Sequence, residues 1–137
     1  MGASLRILLV EDNPAYRRGL RELLEAAGQL EVVGEATDGE EAVRMATSLQ
    51  PDVILMDLRM PDSQGVRHEH VGLDAIREIA GMDPEVSVVV LSSTGDERLR
   101  SEARLVGARD YLLKDADKPT LIDAIRRSAN GGRTPTS

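Results

Sequence analysis

The sequence predicts an α/β fold in which a parallel five-stranded sheet carries helices on both faces. Three observations predict it. Short apolar runs alternate with helical patterns five times along the chain. The runs are continuously apolar, without polar alternation, as expected of strands buried on both faces. Capping, proline and glycine signals punctuate the segments between them. The 137 residues suffice for one domain with a core of its own.

Leu5 to Val10 (LRILLV) is the first strand. Asn13 and Pro14 supply an N-cap and a first-turn proline, and Leu20, Leu23, Leu24 and Ala27 recur at helical spacing until Gly28 ends the helix. The second strand runs from Glu31 to Ala36. Asp38 then opens a helix carrying Ala42, Val43, Ala46 and Leu49, which Pro51 breaks. Val53 to Met56 is the third strand. A loop with Pro61, Gly65 and Gly72 leads to a helix starting near Leu73, with Leu73, Ile76 and Ile79 on its apolar face. Pro84 precedes the fourth strand, Val86 to Leu91. Asp96 caps a helix that turns Leu99, Ala103 and Val106 inward and closes at Gly107. Its charged face, Glu97, Arg98, Arg100, Glu102 and Arg104, is expected to be solvated. Tyr111 to Leu113 form the core of a short fifth strand. Leu121, Ile122, Ile125 and Ala129 mark the last helix, ending at Gly131 and Gly132. The domain is expected to span residues 4–132, with 133–137 (RTPTS) as a frayed tail or the start of a linker.

The balance is acidic, with 24 Asp and Glu against 17 Lys and Arg and a net charge of −7. That argues against the domain itself gripping nucleic acid, which requires a basic face. The chain has no cysteine, so disulfides, thiol chemistry and cysteine-based metal sites are excluded. No run approaches the roughly 18 apolar residues of a membrane span, and the cytosol is the expected compartment.

The stretch VILMDLRMPD, Val53 to Asp62, runs a buried strand straight into Asp57. A buried carboxylate without a partner costs several kcal/mol or shifts its pKa. In a parallel sheet all strands share one carboxyl edge, and ligands bind there where the strand order reverses. Glu11 and Asp12 follow the first strand, Asp57 the third, Ser92 the fourth and Lys114 the fifth. If the order is 2-1-3-4-5, three carboxylates converge in one crevice. Two such charges 4 Å apart repel by about 4 kcal/mol at an effective dielectric near 20. A hard divalent cation held by oxygens resolves this, and Mg²⁺ fits because it takes a few carboxylates and keeps several waters. Lys114 offers a second positive charge and Ser92 a hydroxyl. The site therefore suits an anion that arrives with a metal, such as a phosphoryl group. Its transfer needs mainly positioning and charge neutralisation, and aspartate can act as the nucleophile.

Glu11-Asp12, Asp57 with its Met-Pro-Asp, Ser92 and Lys114 together resemble the receiver domain of bacterial two-component response regulators, a CheY-like family. The match covers about Leu5 to Gly132. The segments VVGEATDGEEAV, DYLLKDAD and RRSANGG further resemble the LuxR/NarL/FixJ branch. The resemblance implies a flavodoxin-like fold with strand order 2-1-3-4-5. It implies that a sensor histidine kinase phosphorylates Asp57, and that Glu11, Asp12, Asp57 and the backbone carbonyl of Arg59 hold Mg²⁺. It implies that Ser92 and Lys114 contact the phosphoryl group and that Tyr111 is a switch aromatic turning inward when Ser92 is drawn to it. It implies no turnover of a separate substrate, only the chain's own phosphorylation and dephosphorylation. Members often pair into homodimers on activation, and the branch acts on transcription through a DNA-binding domain. The five residues after Gly132 are too few to form one, so DNA would be reached only through a domain outside this chain. Two other classes compete: a receiver that binds partners without phosphorylation, and an aspartyl-nucleophile phosphatase. The first would usually lack part of the acidic pair, the aspartate or the lysine, and this chain lacks none. The second wants an acid two positions after Asp57, where Arg59 stands.

The segment SQGVRHEHVG departs from the family pattern. Gly65 fits the expected glycine by spacing from Pro61 and Gly72 by spacing to LDAI, so about seven residues read as inserted beside Asp57. His68 and His70 flank Glu69 there. A transition-metal or pH-sensitive element is one reading, and a solvated loop with incidental histidines is the favoured one.

Overall fold

Continuously apolar strands must be covered on both faces, and that requirement organises the molecule. The structure, a computed structural model, describes residues 4–131. In chain order the elements are β1 (Leu5–Val10), α1 (Pro14–Ala27), β2 (Leu30–Ala36), α2 (Gly39–Leu49), β3 (Val53–Asp57), β4 (Met60–Pro61), β5 (Arg67–His68), α3 (Glu69–Met82), β6 (Ser87–Ser92), α4 (Glu97–Val106), β7 (Asp110–Leu113) and α5 (Lys118–Gly131). Five strands form one parallel sheet in the order β2-β1-β3-β6-β7. This is the expected 2-1-3-4-5 order of the main strands, with the reversal point between β1 and β3.

Side chains alternate across each strand, so one run feeds two cores. Leu8, Val10, Ile54, Met56, Val88 and Val90 pack on one face with residues of α2, α3 and α4. Ile7, Leu9, Leu55, Val89 and Leu91 pack on the other with Leu20 and Leu24 of α1 and Leu121 and Ile125 of α5. Local signals act as read. The Asn13 side chain caps α1 by accepting from Tyr16 N–H, and Asp38 and Asp96 cap α2 and α4 in the same way. Residues 132–137, which include the expected end of the last helix at Gly132 and the tail, lie outside the described residues.

The segment after β3 differs from the expected loop. Met60–Pro61 and Arg67–His68 pair antiparallel as a small hairpin, and α3 starts at Glu69, four residues before Leu73. Gly72 is therefore helical and buried. It lies there because α3 closes on the backbone of β3's exit: Gly72 N–H donates to Leu58 C=O at 3.0 Å. A Cβ at position 72 would stand 2.4 Å from Leu58 Cα and 2.7 Å from its carbonyl oxygen. The missing side chain serves close approach, and the turn glycine of this segment is Gly65, with φ at 84°.

Gly72→Ala is expected to cost about 2 kcal/mol, because the obstructing atoms are backbone and cannot rotate away. Gly19→Ala, in the middle of α1 with open space around it, should instead gain about 0.5–1 kcal/mol. Urea unfolding of the two variants reads this contrast directly, and a Gly72→Ala protein of unchanged midpoint would refute the close-approach account.

Candidate functional site

The ends of β1, β3, β6 and β7 meet at one edge and between them deliver five of the expected residues. Glu11 and Asp12 follow β1, Asp57 ends β3, Ser92 ends β6 and Lys114 follows β7. The register holds them level: Asp57 pairs with Leu91, Ser92 with Leu113, and Lys114 N–H donates to Ser92 C=O at 2.8 Å. One carboxylate oxygen from each of Glu11, Asp12 and Asp57 lies within 4.8 Å of the others. Glu11 is 2% exposed and Asp57 7%. Lys114 Nζ bonds Glu11 Oε1 at 2.8 Å and stands 3.5 Å from Asp57 Oδ2. One oxygen of Asp12, Oδ1, is buried and has no hydrogen-bond partner. An all-oxygen set with an unsatisfied inward oxygen fits a hard divalent cation such as Mg²⁺.

The electrostatics follow from this crowding. Burial pushes the Asp57 carboxyl up, and the charge of Glu11 adds to it. Lys114 and the Arg59 N–H oppose, leaving its pKa at about 6 against an ordinary 3.8. Burial also works against the Lys114 ammonium, but its bond to Glu11 and the charge of Asp57 outweigh this and raise its pKa. Desolvation likewise raises the pKa of Tyr16, with Lys114 opposing.

The other expected residues take specific positions. Arg59 N–H donates to Asp57 Oδ1 at 3.3 Å while its side chain turns away to Glu69. Ser92 Oγ accepts from Thr94 N–H at 3.1 Å. Together with Asp57, Arg59 and Thr94 it lines a cleft of about 260 Å³ beside the carboxylates. Tyr111 is buried, and its hydroxyl donates to Thr94 C=O at 2.8 Å. Arg100 departs from the expected solvated face. Its guanidinium packs 4.6 Å from the centre of the Tyr111 ring and donates to Tyr111 C=O.

Several contributors were not singled out from the sequence. Tyr16 lies under Lys114, with Nζ 4.6 Å from its ring centre. Its signal is scarcity, since the chain has two tyrosines and no Phe or Trp. Arg17 donates to Glu11 C=O at 2.7 Å and pairs with Glu35, fixing the loop that carries the two acids. Arg67, from the hairpin, forms an ion pair with Asp12 Oδ2. His68 Nε2 faces Asp62 Oδ2 at 3.0 Å, and the His70 ring lies 5.9 Å from that of His68. Among the described residues the acidic trio is the one group of three or more metal-type ligands.

The family model described as "Response regulator receiver domain" matches residues 7–126. The transcriptional regulatory protein DegU of Brevibacillus brevis is 37% identical over 93% of this chain and 51% of its own length. The chemotaxis protein CheY of Thermotoga maritima is 35% identical over 89% of this chain and 95% of its own. A solved receiver domain of the putative response regulator NarL from Mycobacterium tuberculosis superposes with a TM-score of 0.85 at 28% identity, over 95% of this chain and 99% of that one. The chain thus spans about half the length of a curated transcriptional relative and nearly all of the chemotaxis one. It belongs to the receiver-domain family of two-component response regulators. Among the described residues no helix is long and apolar enough to cross a membrane.

The raised pKa of Asp57 fixes the sign of a stability effect. The unfolded carboxyl ionises near 3.8 and the folded one near 6, so the folded state binds more protons between these values. Stability from this group is present at low pH and is lost as pH rises from about 4 to 6. The rise from 3.8 to about 6 is worth up to about 3 kcal/mol. Asp57→Asn should therefore stabilise the protein in EDTA at pH 7.5 by up to that amount, with the gain fading by pH 4. Thermal melts across pH check it; a pH-independent difference would contradict the assignment.

Proposed function

We propose that Asp57 accepts a phosphoryl group from a phosphohistidine of a sensor histidine kinase, with Mg²⁺ held by Glu11, Asp12, Asp57 and the backbone carbonyl of Arg59. The observation that carries this reading is the trio of carboxylates within 4.8 Å of one another, two of them buried and flanked by Lys114. With a pKa of about 6, Asp57 is ionised at neutral pH and available as a nucleophile. One of its oxygens attacks phosphorus. The P–O bond of an acyl phosphate forms as the P–N bond breaks, and the departing imidazole nitrogen keeps the electron pair and takes a proton from solvent. A cation held by these residues would supply charge neutralisation for the carboxylates and the phosphoryl oxygens.

The chain's own groups do the rest. The cleft beside Asp57 admits the donor. Lys114, already between Glu11 and Asp57, can turn its ammonium to a phosphoryl oxygen. Ser92 can donate its hydroxyl proton to another. Ser92 and Tyr111 both bond Thr94, so a shift at Ser92 reaches Tyr111 and the face formed by α4, β7 and α5. Carrying a two-state face from mostly off to mostly on takes roughly 5 kcal/mol of differential stabilisation. The added group brings about −1.5 to −2 charges beside Lys114.

On this reading the protein is a switch in the cytoplasm, with no substrate beyond its own aspartyl phosphate. A phosphatase is disfavoured because Arg59, two positions after Asp57, is a cation paired with Glu69. DegU is by its name a transcriptional regulatory protein, and the output proposed for this chain is likewise transcription regulation. The family resemblance adds a DNA-binding domain separate from the receiver domain and homodimerisation on activation.

Intact-protein mass spectrometry after incubation with acetyl phosphate tests the chemistry. The wild type is expected to gain one phosphoryl group only with Mg²⁺, and Asp57→Asn none. An adduct that survives in Asp57→Asn would overturn the acceptor assignment. Lys114→Ala is expected to accept the group without the change in amide exchange over α4 and β7 that the wild type undergoes; an unchanged response would remove Lys114 from the switch.

A further inference from the structure

The segment that departs from the family pattern is built to aim one residue at the acidic trio. Met60 is fully buried and roots the hairpin, and the Met60–His68 and Pro61–Arg67 pairs close it. Asp62 organises the turn. Its N–H donates to Val66 C=O at 2.8 Å, and its Oδ1 accepts from Gln64 and Val66 N–H at 2.8 and 2.9 Å. These N–H groups hold the Asp62 carboxyl below its ordinary pKa, so the turn keeps its anion. Gly65 supplies the left-handed backbone the turn needs. The consequence is that Arg67, on the returning strand, reaches Asp12.

The pairing divides the cations among the carboxylates. Glu11 and Asp57 share Lys114, and Asp12 takes Arg67 through Oδ2 while Oδ1 stays buried and unpartnered. The Asp12 side chain is 9% exposed, whereas that of Arg67 is 53% exposed and has solvent to retreat into. A divalent cation on Asp12 and a guanidinium on the same carboxylate repel each other across a few ångströms.

We propose that Arg67 is a tethered counter-ion that competes with the divalent cation for Asp12, so that docking of the Met60–His68 hairpin and metal binding oppose each other. The inference rests on the metal-site reading above and adds a residue that sets the site's affinity. Because such coupling is reciprocal, the metal loosens the hairpin by the same factor that the docked hairpin weakens the metal. In this chain the aspartyl site is thus armed at a higher Mg²⁺ concentration than its carboxylates alone would set, and arming it frees the hairpin.

Isothermal titration of Mg²⁺ at low ionic strength into wild type, Arg67→Gln and Asp12→Asn tests this, with amide exchange of Gly65 and Val66 followed in parallel. Arg67→Gln is expected to bind Mg²⁺ about five- to tenfold more tightly. In the wild type the Gly65 and Val66 amides should exchange faster once the metal saturates. An unchanged or weaker affinity in Arg67→Gln, or amides equally protected with metal, overturns the proposal while leaving the metal site standing. If Asp12→Asn binds Mg²⁺ as the wild type does, the metal-site reading fails, and the proposal with it.

Discussion

Three carboxylates gathered in a half-dry crevice are the constraint on which the rest of this structure turns. Bringing Glu11, Asp12 and Asp57 within 4.8 Å of one another costs free energy that nearby positive charge or a shifted pKa must offset. The chain provides two such charges from opposite ends of the trio. Lys114 arrives from the last strand of the sheet, and Arg67 from the hairpin after β3. Neither neutralises the trio completely. Burial first, and the charge of Glu11 second, raise the pKa of Asp57 in spite of Lys114, and one oxygen of Asp12 keeps no hydrogen-bond partner. On the proposed reading, the unpartnered oxygen and the raised pKa are what a cation and a phosphoryl group would each relieve.

The sheet makes this gathering possible, since parallel strands in register bring their carboxyl ends to one line. Main-chain bonds extend that register past the strands, from Glu11 N–H to Ala36 C=O and from Lys114 N–H to Ser92 C=O. The cost of holding buried acids is offset by the apolar packing beneath them, where Ile54, Leu55 and Met56 of β3 are almost fully buried just before Asp57.

How much of this was legible in the sequence depended on how local the physics was. The five main strands were readable because burial on both faces leaves a continuous apolar run. The site residues were readable because a charge at the end of such a run has few bland explanations. Gly72 looks like a loop glycine from its sequence neighbours, since nothing local reveals that α3 passes over Leu58. Arg100 sits on the polar face of its helix and so looks solvated, yet a long side chain can fold back to an aromatic ring. Arg67 was invisible for a third reason. Its partner lies 55 residues away (67 − 12), and the hairpin that joins them is held by backbone bonds to Asp62 that leave no hydrophobic period.

Two routes therefore lead out of the site, and they differ in kind. On the side of Ser92, bonds converge on Thr94 from both Ser92 and Tyr111, and Arg100 covers the Tyr111 ring, so a displacement is passed through packed groups. On the side of Arg67 the link is a single half-exposed ion pair, sensitive to salt and to any competing cation. The packed route suits a response to a covalent group that adds charge at Asp57. The exposed ion pair suits a response to ion occupancy, before any group is transferred. Because Asp12 and Asp57 belong to the same cluster, a cation that satisfies one acts on both routes at once. If Arg67 competes with the metal as proposed, the hairpin joins to the receiver framework a second face that answers to ion occupancy at Asp12.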